Sequence, residues 1–159
     1  MGLAFDASSL ILLQEVGLLQ EVAQLRIELA TTAETLHEVR SATVHGLVRN
    51  GTLKVLQTPI SGIPPELRQG LGEGEMSILA LAAENRSLWA VLDEKLARQV
   101  AVALKIRFLG TARLIKHLAD KGIMSIDRAQ AILESLPRIG FFIEPATIRE
   151  VLEERPLDL

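Results

Sequence analysis

The sequence contains no cysteine and no tyrosine, and only 3% of its residues are aromatic. Without cysteine the chain can form neither a disulfide nor a thiolate metal site, which is compatible with a reducing compartment. Its apolar runs, such as MSILALAA, are far shorter than the roughly 18 residues that a membrane-spanning helix needs, so we expect no membrane segment. No basic region precedes the apolar start and no small-residue cleavage site follows it, so we expect no secretory signal. The sequence therefore predicts a cytoplasmic protein.

An excess of positive charge is also missing, because the formal net charge is -3. This charge argues against a protein that holds nucleic acid by bulk electrostatics alone. Between Arg86 and Lys121, however, eight basic residues accompany three acidic ones. Such a stretch fits either solvated helix faces or contacts with phosphates, and only independent signs of phosphate chemistry favour the second interpretation. The scarcity of aromatic residues makes extensive base stacking unexpected.

The chain has the length and apolar content of one domain. Its 159 residues are 48% hydrophobic, so we expect a single domain over residues 1–159 with a sizeable core. Short apolar segments alternate with helical patterns, which favours an α/β fold with a parallel sheet covered by helices on both faces. Carboxyl-terminal helices are expected from about residue 123. Strands are predicted at 3–5, 26–30, 88–92 and 106–109, with a further extended piece at 53–57.

Local signals predict the ends of several elements. Thr31 and Glu34 have the spacing of a capping box, which predicts a helix running to about Arg49 with Glu34 as a structural cap. Residues 61–75 hold two prolines and four glycines and are predicted to form a loop, but they lack the pattern of a phosphate-binding loop. Pro145 is expected in the first turn of the last helix.

Acidic residues follow two of the predicted strands. Asp6 comes directly after the first strand in AFDASSLILL, and Asp93 follows the apolar run LWAVL. Because parallel strands end at one edge of a sheet, we expect these two acids close together, and Glu75 at a helix entrance is a candidate to join them. Taken singly, each acid also fits a helix cap worth about 1 kcal/mol or less.

Convergence of such acids implies a cation. Two carboxylates about 4 Å apart repel by roughly 4 kcal/mol at an effective dielectric constant near 20, so a cation or a shared proton must lie between them. Carboxylates without histidine or cysteine nearby suit Mg2+ or Mn2+, which keep several waters and need one or two direct protein ligands. The expected substrate is a phosphate ester, since such an ion polarises a phosphoryl oxygen and lowers the pKa of a bound water.

Five segments, in this order, resemble a PIN domain: AFDASSLILL, AETLHEV, LGEGEMSILALA, AVLDEKLARQVA and FLGTARLIKHLADKGIM. The sequence is most similar to a branch of predicted nucleic-acid-binding proteins that is related to VapC toxins. The resemblance covers nearly the whole chain. It implies a three-layer α/β/α fold with a short central parallel sheet, and Mg2+- or Mn2+-dependent endonucleolytic cleavage of RNA.

The resemblance also implies which residues are catalytic and bind the metal: Asp6, Glu38, Glu75 and Asp93. Members of this branch often have two aspartates after the corresponding strand, and here the second place is taken by Glu94. We prefer Asp93 as the residue that faces the metal, and Glu94 remains the alternative.

Three further residues are candidates for contacts with the substrate. The Ser8 hydroxyl is a candidate to orient a water or a phosphate, with helix capping as the alternative. Lys95 and Arg98 lie about one helical turn past Asp93 and are candidates to contact the RNA backbone, with a solvated helix face as the alternative. The three histidines lack metal-ligand spacing and are expected to be exposed or hydrogen-bonded.

The acidic residues predict metal-dependent chemistry on a phosphate ester, and the resemblance implies that the protein is a metal-dependent endoribonuclease, a hydrolase in which a metal-activated water attacks an RNA phosphodiester. The resemblance leaves open that the protein is the toxin of a toxin–antitoxin pair with a small antitoxin as partner, and it suggests a homodimer. The alternative is a catalytically silent PIN-like module that binds RNA or a protein partner. The sequence does not predict the RNA target, because RNA is recognised through loop shape and exposed bases.

Overall fold

The computed structural model describes residues 1–159, which form an α/β structure around one five-stranded parallel sheet. The strand order is β3-β2-β1-β4-β5, so the order reverses between β1 and β4. All five predicted extended segments are confirmed. The strands are β1 (Gly2–Phe5), β2 (Glu28–Thr31), β3 (Lys54–Val55), β4 (Leu88–Val91) and β5 (Phe108–Leu109).

Helices connect and cover the strands. The last helix begins at Pro145, as predicted. The predicted loop at 61–75 contains the 3-10 turn Pro65–Leu67 and the end of another at Ile60–Gly62, and its last residues, from Glu73, already belong to the next helix. No helix is long and apolar enough to cross a membrane. The helices are α1 (Ala7–Glu15), α2 (Leu19–Ala23), α3 (Ala33–Glu38), α4 (Ala42–Arg49), α5 (Glu73–Glu84), α6 (Lys95–Ala103), α7 (Thr111–Asp120), α8 (Ile126–Ser135) and α9 (Pro145–Glu153).

Alternation along the buried strands creates two hydrophobic cores, one on each face of the sheet. Leu3 and Phe5 of β1 belong to a cluster of 27 buried residues, which includes residues of α1, α4, α7, α8 and α9. Ala4 faces a second cluster of 16 buried residues, which includes residues of α5 and α6. Burying a large apolar side chain contributes about 1.5–3 kcal/mol, so both faces of the sheet are held firmly. The three-layer α/β/α architecture is confirmed.

The predicted helix from Thr31 to Arg49 is wrong in one respect, because the chain forms two helices there. Thr31 ends β2, and its hydroxyl donates to the Phe5 carbonyl at 2.9 Å, so it is not available as a cap. Thr32 is the N-cap of α3 instead. Glu34 is exposed and makes no hydrogen bond, so its predicted capping role is also wrong.

A break at residues 39–41 separates α3 from α4. The Ser41 hydroxyl caps α4 by accepting from the Val44 N–H at 3.2 Å. The Val39 carbonyl, freed from the helix, bonds the His45 ring at 2.7 Å. As a result Glu38 is the last residue of α3, where it is exposed to solvent.

Candidate functional site

The carboxyl ends of β1 and β4 lie side by side at the point where the strand order reverses. Phe5 pairs with Val91 in the parallel register, and Asp6 and Asp93 follow within two residues of these positions. Ligands of open parallel sheets bind in the crevice at such a reversal. The sheet topology therefore brings both strand-end aspartates to one edge, as the sequence predicts.

The two carboxylate oxygens of Asp6 have different partners. Oδ1 caps α1 by accepting from the Ser9 N–H at 2.9 Å, and it also accepts from the Ser8 hydroxyl at 3.2 Å. Oδ2 is buried and has no hydrogen-bond partner. The capping interpretation of Asp6 is thus confirmed for one oxygen, while the other is free to bind a ligand.

The environment of Asp6 disfavours its ionised form. The pKa of Asp6 is raised to about 6, mainly by burial and to a smaller extent by the negative charge of Asp93, while the hydrogen bonds from Ser9 and Ser8 act in the opposite direction. A buried carboxylate with an unpartnered oxygen is unfavourable unless a cation or a donor reaches it. The Oδ2 atom therefore needs a partner that the polypeptide does not supply.

A cleft of about 290 Å³ opens beside Asp6. Four of its lining residues are acidic, one is apolar, and none is lysine, arginine or histidine. Such a lining attracts cations and repels anions, so a phosphate group could enter only with a cation. The lining residues are Asp6, Ala7, Ser8, Glu38, Gly70, Gly72, Glu75 and Glu94.

Glu75 contributes to the cleft and also caps a helix. Its Oε2 accepts from the Gly72 N–H at 3.2 Å, at the amino end of α5. Partial burial raises the pKa of Glu75, and the negative charges of Glu94 and Glu38 raise it as well. The three glutamates are therefore near enough to repel one another.

Close packing of α3 on α5 positions Glu38. Gly74 makes the approach possible, since a Cβ at that position would lie 2.9 Å from Oε1 of Glu38. Below this contact, the buried hydroxyl oxygens of Thr32 and Ser77 are 2.6 Å apart and join the two helices. Ser77 also donates to the Gly74 carbonyl at 2.6 Å. These contacts hold Glu38 over the first turn of the helix that carries Glu75.

Asp93 and Glu94 face different surroundings. Oδ1 of Asp93 accepts from the Thr111 N–H at 2.8 Å, and Oδ2 accepts from the Thr111 hydroxyl at 2.6 Å. The Arg98 guanidinium lies 3.6 Å from Oδ1. Asp93 does not line the acidic cleft, whereas Glu94 does. The structure thus gathers Asp6, Glu38, Glu75 and Glu94 around the cleft and engages Asp93 with the amino end of α7.

Thr111 is a residue that the sequence analysis did not single out. It is fully buried and directly follows Gly110 at the carboxyl end of β5. Because β5 is the neighbour of β4, polar residues after these strands meet at the same edge. The position of the threonine in the segment FLGTARL, just after a predicted strand, could therefore have predicted that it lies near Asp93.

The candidate substrate residues occupy three different settings. Ser8 is exposed at the cleft, and Lys95 is exposed beside Glu94 at the start of α6. Arg98 is partly engaged with the fold, since its Nε donates to the Leu92 carbonyl at 2.8 Å. Contact of these side chains with RNA stays a prediction.

The histidines lie outside the cleft. His37 is exposed and His45 is hydrogen-bonded, as expected. His117 differs, because it is buried in α7 with neither ring nitrogen partnered, and burial lowers its pKa. The expectation of an exposed or hydrogen-bonded side chain is wrong for His117.

The cleft residues fit a divalent cation held partly through water. No three His, Cys, Asp or Glu side chains are grouped closely enough to hold a metal ion by themselves. Mg2+ in proteins needs only one or two carboxylates and retains several waters. The free Oδ2 of Asp6 and the neighbouring glutamates supply oxygen ligands of this kind.

Comparison with known proteins identifies the family of the chain. A family model described as a PIN domain matches residues 3–155. No curated protein and no solved structure shows a significant match to the chain. PIN domains are generally nucleases that bind nucleic acid and typically depend on divalent metal ions. Since the match spans almost all of the 159 residues and the fold agrees with it, the chain belongs to the PIN-domain family.

Proposed function

We propose that the protein is an endoribonuclease that requires Mg2+ or Mn2+ and hydrolyses RNA phosphodiesters, with residues 1–159 acting as one domain. The observation that carries this proposal is the buried, unpartnered Oδ2 of Asp6 in a cleft that contains three further carboxylates. Asp6, Glu38, Glu75 and Glu94 are the proposed acids around the ion. Asp93 is proposed to position this edge of the sheet through Thr111.

The residues of the cleft have distinct tasks in this proposal. Asp6 would hold a divalent ion through its free oxygen, and Glu38, Glu75 and Glu94 would hold it directly or through its waters. Such an ion would supply a water of lowered pKa and would neutralise charge on the phosphodiester. The exposed Ser8 hydroxyl donates to Asp6 in the ion-free protein, and by rotating it could donate to a phosphate oxygen instead. The Lys95 ammonium adds positive charge at the rim.

The finer biological role rests on family resemblance alone. Within the proposal, the protein is the toxin of a toxin–antitoxin pair, its partner is a small antitoxin, and it assembles as a homodimer.

A second candidate function is a catalytically silent PIN-like module that binds RNA or a protein. The observation that favours it is the absence of any group of three metal-ligating side chains, together with the engagement of both Asp93 oxygens by Thr111. Such a protein would keep the family fold and bind its partner, but it would not cleave RNA.

Cleavage of a mixed-sequence RNA pool separates the two candidates. We expect the wild-type protein to cleave with Mn2+ or Mg2+ and not in EDTA. Asp6→Asn should lower the rate by about 100-fold or more, in the range of losses seen when a catalytic group is removed. Glu34→Gln is the matched control, since this exposed acid of α3 lies outside the cleft.

Cleavage that persists in EDTA, or at full rate in folded Asp6→Asn protein, would contradict the metal-site assignment. If neither ion supports cleavage and neither raises the melting temperature, the silent module is the better description.

A further inference from the structure

A second and larger cavity, of about 510 Å³, lies between β5, α7 and α9. We call it the α9 groove. It shares no lining residue with the acidic cleft. Three of the four phenylalanines of the chain line it, namely Phe108, Phe141 and Phe142. This concentration of aromatic surface is unusual in a chain with 3% aromatic residues.

Phe142 is the most solvent-exposed large apolar side chain of the molecule. Its exposed fraction is 82%, and it precedes the buried Ile143 at the entrance to α9. Exposing a benzyl side chain forgoes about 1.5–3 kcal/mol of burial, so a surface that gathers such groups marks an interaction site.

The charges around the α9 groove are negative. Glu144 and Glu150 line it without forming any ion pair. Its two basic residues are already engaged. Arg113 pairs with Glu154 at 2.6 Å and donates to the Arg155 carbonyl, while Arg98 lies against Asp93.

This combination selects among macromolecular partners. RNA and anionic lipid would be repelled by the two unpaired glutamates, and both arginines of the groove already pair with carboxylates. A partner with cationic and apolar side chains matches both the charge and the aromatic surface.

We propose that the α9 groove binds a basic, amphipathic segment of a protein partner. The apolar side chains of the segment pack on Phe141 and Phe142, and its lysines or arginines face Glu144 and Glu150. Asp93 and Arg98, near the carboxyl end of β4, also line the groove, but the proposal does not require RNA cleavage, because the groove shares no lining residue with the acidic cleft and peptide binding involves no turnover.

The test measures binding of a fluorescently labelled model peptide by anisotropy in EDTA. The probe is an amphipathic helix of about 18 residues made of leucine and lysine, and its counterpart contains leucine and glutamate. We expect the leucine–lysine peptide to bind the wild-type protein. Phe142→Ala and Glu150→Lys should each weaken binding about tenfold or more, as for residues at the centre of an interface. Both positions are exposed, and a thermal melt verifies that each variant is folded.

Val102→Ala is the matched control, because Val102 is 66% exposed on α6 and does not line the groove. It should leave peptide affinity unchanged. Unchanged binding to the Phe142→Ala protein, equal binding of the leucine–glutamate peptide, or no binding to wild type would overturn the proposal. Loss of oligo-uridine binding in Phe142→Ala would assign the groove to RNA instead. A dimer that sediments in wild type and dissociates in Phe142→Ala would assign it to a second copy of the chain, which also overturns the proposal.

Discussion

Asp6 combines a structural and a chemical task in one side chain. Its Oδ1 caps α1 while its Oδ2 stays buried without a partner. Burial is the main reason why the pKa of Asp6 is raised to about 6 from an ordinary 3.8. At neutral pH the buried Asp6 carboxylate therefore lowers the free energy of unfolding of the ion-free protein. Such a cost is expected at a site that is shaped to bind a ligand.

We therefore expect Asp6→Asn to raise the melting temperature of the metal-free protein at pH 7. In wild type the folded state binds more protons than the unfolded chain, so the free energy of unfolding falls as pH rises from about 4 to about 6. The difference between the two pKa values corresponds to roughly 3 kcal/mol. Asparagine carries no charge and can still accept from the Ser9 N–H, so the pH dependence should weaken. Thermal melts between pH 4 and 7 measure this.

The same melts with Mn2+ give a second readout. Mn2+ should raise the melting temperature of wild type but not of Asp6→Asn. Asp127→Asn, an exposed change on α8, should behave like wild type in both respects. A destabilised Asp6→Asn protein at pH 7, or one that keeps the full pH dependence, would contradict this account of Asp6.

Asp93 and Glu94 should respond in opposite ways to removal of their carboxylates. Asp93→Ala leaves the Thr111 N–H and hydroxyl unpaired, which should lower the free energy of unfolding by about 1–3 kcal/mol. Glu94→Ala removes an exposed side chain and should change stability little while weakening Mn2+ binding. Urea denaturation in EDTA and Mn2+ titration calorimetry measure the two effects. If Asp93→Ala weakened Mn2+ binding and Glu94→Ala did not, Asp93 and not Glu94 would be the residue that faces the metal.

The sequence could predict that Asp6 lies at this edge of the sheet, but not which of Asp93 and Glu94 lines the cleft. Asp6 follows a short apolar strand, and a strand end of this kind is recognisable from the chain alone. The choice after β4 depends on Thr111, which lies 18 residues further along and reaches Asp93 only in the folded sheet. Interactions between distant segments are not contained in local patterns.

At the scale of elements, the close approach of α3 to α5 sets the geometry of the cleft. A Cβ at position 74 would lie 2.9 Å from Oε1 and 3.4 Å from Cδ of Glu38. Because the carboxylate ends a flexible side chain, it can move aside while the helices stay packed. Such a movement would separate Glu38 from Glu75.

We expect Gly74→Ala to weaken Mn2+ binding and RNA cleavage while leaving the fold intact. The gain in helix propensity of up to about 1 kcal/mol offsets the local crowding. Gly46→Ala in α4 is the matched control, since its Cβ would meet only the end of Arg49 at 3.8 Å. The control should be as active as wild type and slightly more stable. Full Mn2+ affinity in folded Gly74→Ala would show that Glu38 does not contribute to the site.

The strands and their parallel arrangement could be predicted because apolar segments of strand length alternate with helical patterns. The break between α3 and α4 could not, since no glycine or proline marks residues 39–41. It follows from two contacts. The Thr31 hydroxyl bonds the Phe5 carbonyl, so that the helix starts later, and Ser41 caps a second helix.

At the scale of the whole molecule, folding disperses the basic stretch between Arg86 and Lys121. Lys116 is buried and pairs with Asp120 at 2.6 Å. Arg113 pairs with Glu154. Lys95 remains exposed beside the cleft. With a net charge of -3, RNA affinity should depend on few phosphate contacts.

We expect Lys95→Gln to weaken RNA binding similarly for all sequences and to reduce the slope of log K against log salt by about one. The cleavage rate at saturating RNA should be unchanged, because Lys95 is proposed to contact the backbone and not the reacting atoms. Lys105→Gln, exposed just beyond the other end of α6, is the control and should leave the slope unchanged. If wild type, Lys95→Gln and Lys105→Gln had equal slopes, Lys95 would not contact the RNA backbone.

The central claim, that the carboxylates around Asp6 hold a divalent ion, is tested most directly by anomalous diffraction from crystals grown with Mn2+. We expect an anomalous peak in the acidic cleft, in direct contact with Oδ2 of Asp6 and facing Glu38, Glu75 and Glu94 directly or through waters. The peak should be absent from crystals of Asp6→Asn. A cleft without a peak at Mn2+ concentrations that support cleavage, or an equal peak in the variant, would contradict the account.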